Sequence, residues 1–245
     1  MNVKVPPSHK PREPFPVVMR STAIRRFFNS ALDAIRQRHV LLLGVRQADR
    51  LELKSFFRAL AQETSKQAPQ RICNDANFDP IVLDEEDDTC FLFLHGEEMR
   101  GSLQHNICLN YRHLPLVAVA IEPHAEGQMP SRWDRRFIQT LSPMLNWPAW
   151  SERDEDKAEI CEIVRSRILL PSGLPTPIFD PDALRFLLEK DFDGPVAVQD
   201  TIRRAMQAYR RDSCTGPLTL DAFLPKRSSR PGNQPSISPS SPPMG

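Results

Sequence analysis

The chain lacks paired cysteines. Its five, Cys73, Cys90, Cys108, Cys161 and Cys214, lie far apart with no C-x-x-C. An odd, scattered set excludes a disulfide framework and predicts reduced thiols in a cytoplasmic protein. His105, Cys108 and His113 have none of the paired spacings of a zinc site, so core and surface roles are expected for them. No apolar run approaches the roughly 20 residues of a membrane span, so no membrane partner is expected. Charge of one sign is lacking too: Lys and Arg number 32, Asp and Glu 31. That balance gives no bulk pull toward nucleic acid, although a local basic face on the Arg25–Arg38 helix stays open. Residues 1–16 carry Lys and Pro but no apolar core, which excludes a secretory signal. The acidic block Asp84–Asp88 lacks EF-hand spacing and reads as a solvated turn.

What is present divides the 245 residues into four parts. Residues 1–16 read as a proline-rich, disordered arm and residues 225–245 as a disordered Pro/Ser-rich tail. Residues 17–146 read as an α/β domain. Ser21–Arg38 carries an apolar stripe at Ile24, Phe27, Phe28, Ala31, Leu32 and Ile35, the spacing of a helix. Val40–Leu43, Cys90–Leu94 and Leu116–Ile121 are short apolar runs of the buried, parallel-strand kind. Shorter strands are expected near Arg71–Cys73 and Pro80–Leu83, and an edge strand at Phe137, Ile138 and Leu141. Residues 147–224 read as a small helical domain. It opens at Trp147-Pro148-Ala149-Trp150, with helices starting at Ser151 and at Asp180-Pro181 and a last one carrying Val198, Ile202 and Tyr209 inward.

The stretch from His39 to Leu60 organises the rest. Val40–Leu43 is a strand, Gly44 breaks it, and Asp49 with Glu52 three residues on predicts a capping box for the helix that comes next. Strand, glycine turn and capped helix frame a phosphate-binding loop. Such a loop needs G-x-x-x-x-G-K-[ST], so that backbone N–H groups cradle phosphate, Lys neutralises it and a hydroxyl holds Mg²⁺. Gly44 stands at the first glycine. Asp49, Arg50 and Leu51 stand where Gly, Lys and Ser/Thr belong. Gly44, Asp49 and Arg50 are therefore the candidate residues of a degenerate phosphate loop.

The strand Cys90–Leu94 leads to His95-Gly96, with Glu97 and Glu98 two positions on. Along a strand, two positions amount to roughly 6–7 Å, too far for those carboxylates to serve where an acidic pair at the strand end would. Arg135 and Arg136 are candidates for an arginine finger reaching across a subunit interface.

This layout, from about Pro16 to Leu224, resembles the AAA+ ATPases. Within them it is most similar to the transposon-encoded regulators of the TniB/TnsC type. Ser21–Gly44, Tyr111–Ile121 (YRHLPLVAVAI) and Arg132–Trp150 carry that likeness. Phe179–Ala208 resembles the lid of enhancer-binding transcription activators, with Ala197 in place of a nucleotide-sensing arginine. The resemblance implies an AAA+-like parallel sheet flanked by helices, followed by a helical lid. It also implies ATP and Mg²⁺ as ligands of a competent site, and transposition proteins, AAA+ relatives or DNA as partners of an oligomer. The residues depart from the pattern at Arg50, Leu51, His95-Gly96 and Ile121, so no catalytic residue and no resident cofactor is assigned. The expected function is a pseudo-ATPase scaffold regulating DNA transposition. Its rivals are a residual ATPase using Arg50 and Glu97, and a regulatory partner of transcription activators.

Overall fold

The computed structural model describes residues 15–65, 68–73, 88–123, 129–168, 176–211 and 216–224. The arm before residue 15, the strand expected at Pro80–Leu83, most of the acidic block and the tail lie outside these residues. So does Cys214.

Among the described residues five strands form one parallel sheet: β1 (Leu41–Gly44), β2 (Gln70–Cys73), β3 (Cys90–Phe93), β4 (Val117–Ile121) and β5 (Leu145–Asn146), in the order β2-β3-β4-β1-β5. β1 pairs in register with β4 on one side, Gly44 opposite Ile121, and with β5 on the other, Gly44 opposite Asn146. The short apolar runs predict β1, β3 and β4 as parallel strands, because a parallel strand is covered on both faces; β5 was not read from the sequence.

The two faces separate by the strand period of two. Leu41, Leu43, Leu92, Ala118 and Ala120 pack with Ile24 and Phe27 of α1 (Thr22–Arg36) and with Phe56, Phe57 and Leu60 of α2 (Arg50–Thr64). Phe27, Phe56 and Trp147 meet ring to ring at 5.1–5.3 Å. Val40, Leu42, Phe91, Phe93, Val119 and Ile121 pack with α3 (Gly101–Asn110) and α4 (Arg135–Thr140). Helices α5 (Asp154–Arg167), α6 (Pro181–Glu189) and α7 (Pro195–Arg211) share a third core around Trp150, Ile160, Leu187, Val198 and Ile202. Trp147 and Trp150, three residues apart, thus serve different cores.

Three local expectations need correction here. The edge strand at Phe137–Leu141 is the helix α4: Asp134 caps it by accepting from the Arg136 N–H at 2.7 Å, and Phe137 turns fully into the core. Only Leu141 bridges to Val40 in the parallel sense. The helix expected from Ser151 starts three residues later, after a 3₁₀ turn at Trp150–Glu152. There Glu152 accepts from the Ala149 N–H at 2.8 Å, which closes the 3₁₀ turn ahead of the helix. Asp49 and Glu52 form no capping box: the Asp49 side chain makes no cap hydrogen bond, and each carboxylate holds a guanidinium instead. The cap at Asp180-Pro181 forms as read, Asp180 accepting from the Asp182 N–H at 2.9 Å.

Candidate functional site

The C-terminal ends of β1, β3 and β4 lie side by side, and the segments leaving the three strands meet at one place. After β1 the chain makes a 3₁₀ turn at Gln47–Asp49 and enters α2 at Arg50. After β3 it passes His95 and a second 3₁₀ turn at Gly96–Glu98. After β4 comes Glu122. In parallel α/β sheets this edge, where the order of strands reverses, is where ligands bind.

Arg50 is the centre of this cluster. Its Nη1 donates to His95 Nδ1 at 2.8 Å, and its Nη2 donates to Glu122 Oε2 at 3.3 Å, with Glu97 Oε1 at 3.9 Å. Because a guanidinium can only donate, His95 Nδ1 must accept. His95 adopts φ 57°, a left-handed conformation that costs a non-glycine residue on the order of 1 kcal/mol. That turn away from the strand direction corrects the expectation for Glu97. The 6–7 Å displacement presumed a continuing strand, but β3 ends at Phe93, and the left-handed residue swings Glu97 back toward Arg50. Glu97 Oε2 and Arg50 Nε are both buried without a protein partner.

Several of the turn's own donors are engaged internally. Val45 N–H donates to the Ile121 carbonyl at 2.9 Å, Gln47 N–H to Glu122 Oε1 at 3.3 Å, and Asp49 N–H to the Arg46 carbonyl at 2.9 Å. A carboxylate thus sits where a phosphate cradle would offer an N–H. Gly44 has a packing role: a Cβ there would come within 2.3 Å of Asn146 Oδ1.

Asp49 is buried, and its Oδ2 accepts from Arg46 Nε at 2.8 Å. Burial pushes its carboxyl up to about 6, against the pull of the Arg46 hydrogen bond and charge. Arg46 also donates through Nη1 to Asp193 Oδ1 at 3.2 Å, just ahead of α7. There Gly194, at φ 136°, packs so closely that a Cβ would lie 2.9 Å from the Ala48 carbonyl and 2.6 Å from Asp49 Oδ1.

A second arginine, Arg153, lies fully buried between α2 and α5. It donates from Nη1 to Glu52 Oε2 at 2.6 Å, from Nη2 to Glu52 Oε1 at 3.1 Å and to the Val18 carbonyl at 3.0 Å, and from Nε to Asp156 Oδ2 at 2.8 Å. Asp156 in turn accepts from the Arg20 and Ser21 N–H groups and from the Ser21 hydroxyl. Burial alone would lower the arginine's pKa; hydrogen bonds and charge from Glu52 and Asp156 outweigh it and raise it.

Of the residues singled out in the sequence, the fold brings Arg50 together with His95 and Glu97, with Asp49 in the same turn. Arg135 and Arg136 lie apart, exposed on the first turn of α4. Their helix is tied to the β3 turn by Trp133, whose indole N–H donates to the Gly96 carbonyl at 2.9 Å. Sequence reasoning missed Arg46, Glu122, Asp193 and the Arg153 cluster. Glu52 carried a signal: it lies four residues before Phe56 and eight before Leu60, on the buried stripe of α2. Arg46 and Asp193 meet across 147 residues, and no local pattern announces that. Among the described residues no group of three His, Cys, Asp or Glu side chains is placed to hold one metal ion. None of the described helices is long and apolar enough to cross a membrane.

No protein-family model and no curated protein matches the chain. Solved structures do. NtrX from Brucella abortus in complex with ADP aligns over 87% of this chain and 56% of its own, with a TM-score of 0.63 at 16% identity. The same protein in complex with ATP gives 0.61 over 86% and 56%, again at 16% identity. The Thermotoga maritima RuvB Holliday junction branch migration motor gives 0.58 over 82% of this chain and 66% of its own, at 10% identity. The chain therefore spans between half and two thirds of these proteins' lengths. At such identities the likeness is one of fold: a parallel five-stranded sheet flanked by helices, the AAA+ α/β fold.

Proposed function

We propose that this AAA+ fold serves as a scaffold that does not hydrolyse ATP, acting in the regulation of DNA transposition through contacts with AAA+ relatives or transposition proteins. One observation carries the loss of hydrolysis: the β1–α2 turn is filled by the chain's own groups. Glu122 occupies the Gln47 N–H, and Arg50 is engaged by His95 and Glu122. Mg²⁺–ATP does not fit this arrangement. Its phosphates would face the Glu122 and Glu97 carboxylates, Leu51 offers no hydroxyl to a metal, and Gly194 lies against the turn. Phosphoryl transfer depends on positioned charge, and here the charge is already neutralised.

The transposition reading rests on the resemblance of Tyr111–Ile121 and Arg132–Trp150 to the TniB/TnsC regulators. RuvB, a branch migration motor, offers a precedent for this fold acting on DNA. In this reading residues 147–224 form the lid. Arg135 and Arg136, exposed at the start of α4, face a neighbouring subunit of an oligomer in the cytoplasm. Pull-down of a transposase or an AAA+ ATPase, lost in Arg135→Ala/Arg136→Ala, tests that contact. Recovery undiminished by the double change removes the two arginines from the interface.

A second reading, residual ATPase activity, is favoured by the buried, unpartnered Oε2 of Glu97 beside Arg50. Titration with a fluorescent ATP analogue and Mg²⁺, with Arg50→Ala as control, separates the two. The scaffold predicts no saturable binding at millimolar concentration, and the residual enzyme predicts binding that Arg50→Ala abolishes.

A further inference from the structure

A cleft of about 320 Å³ is lined by Arg46 just before the turn, by Trp150, and by Asp191, Phe192 and Asp193 just ahead of α7. Arg46 links its two sides. It bonds the buried Asp49 of its own turn and reaches Asp193 on the helical side, while its Nη2 is buried and has no protein partner. The contact is close: Gly194 sits where any side chain would strike the Ala48 carbonyl. Close by, within reach of the Asp49 charge, Arg153, Glu52 and Asp156 form a fully buried joint. The two halves thus meet through a buried joint at Arg153, through Leu51 packed on the helical core and through the partly exposed Arg46.

We propose that Arg46 is a latch that holds α7 shut over the β1–α2 turn. The unequal burial of its two partners sets how it works. Asp49 is 1% exposed and anchors the guanidinium, whereas the Asp193 side chain is 81% exposed and lets go first. Release at Asp193 leaves Arg46 on its own turn and frees the Asp193–Gly194 corner to move off Ala48. Water can compete at Asp193 and salt can screen it, so the latch opens without unfolding the rest. The latch joins the two halves whether or not nucleotide binds, so its failure and that of the scaffold reading are told apart.

Hydrogen exchange of the intact protein tests it, read at three places: the amides of residues 47–50, those of residues 196–199, and those of β4. In Arg46→Gln/Asp49→Asn, which removes the arginine without stranding a buried charge, the first two sets exchange about tenfold faster than in the unchanged protein. β4 stays as it was. Asp193→Asn gives about threefold at the same two places. Gly194→Ala, which wedges the contact apart sterically, speeds both sets and shows that the readout senses opening. Unchanged rates in the double variant, alongside faster rates in Gly194→Ala, overturn the latch. Acceleration that extends equally to β4 also overturns it, because Arg46 would then be an ordinary stabilising ion pair.

Discussion

Two arginine clusters lie where the sheet and its helices meet helices α5 to α7, and they are built on opposite principles. Around Arg153 the inventory closes: each of the three guanidinium nitrogens donates, and both carboxylates also accept backbone N–H groups. A buried ion network is tolerable on those terms, since desolvation is offset only when every lone pair and proton is engaged. Around Arg46 and Arg50 the inventory stays open. Arg46 Nη2, Arg50 Nε and Glu97 Oε2 are buried without partners, Asp49 is held against its burial, and His95 stands in a left-handed conformation. Completed networks mark structure, and incomplete ones mark places where the chain has compromised. Here the compromise falls at the C-terminal ends of the strands, where parallel α/β sheets bind ligands.

Breaking the closed cluster should have the largest effect. Arg153→Met leaves Glu52 and Asp156 buried without their cation and should cost about 3–5 kcal/mol in urea unfolding. Replacing all three with apolar residues of similar size should return much of that loss. A cost below about 1 kcal/mol for Arg153→Met would erase the distinction between the clusters.

Next comes the close contact on the open side. Gly194→Ala combines a strained φ of 136° with a clash against the Ala48 carbonyl, and should cost about 1–3 kcal/mol in thermal or chemical unfolding.

A third test sharpens the contrast through pH. Burial raises the Asp49 carboxyl to about 6 in the folded protein, above its ordinary 3.8. The folded state therefore binds this proton more tightly than the unfolded state does. The contribution is fully present below pH 3.8 and is lost as pH rises through about 6. Asp49→Asn should flatten that dependence, so that the stability difference between variant and unchanged protein shifts between about pH 4 and 7, read from urea unfolding at each pH. A difference constant across that window would mean Asp49 is not held against its burial. The smallest effect belongs to Asp193→Asn, an exposed partner worth about 0.2–1 kcal/mol and sensitive to salt.

The sheet was legible in the sequence because each buried strand is a run of apolar residues bounded by breakers, as Val40–Leu43 before Gly44 shows. Helix α1 declared itself by its stripe. Phe137-Ile138 misled as a strand because two adjacent apolar residues suit a one-turn helix equally well, and the Asp134 cap decides between them. The candidate site was half legible. Arg50 and its loop followed from spacing alone, whereas Glu122, Arg46 and Asp193 act through pairs 72 to 147 residues apart in the chain. Glu97 was misplaced because strand geometry was extended past a left-handed residue, and histidine does not advertise that conformation as glycine would.

In the proposed scaffold the chain's own Arg50, His95 and Glu122 occupy the place of a nucleotide. Titrating the purified protein with a fluorescent ATP analogue and Mg²⁺, beside Arg50→Ala, tests this. The scaffold predicts no saturable binding at millimolar concentration in the unchanged protein. Saturable binding that disappears in Arg50→Ala would contradict it, because the turn would then be open to phosphate and Arg50 its ligand.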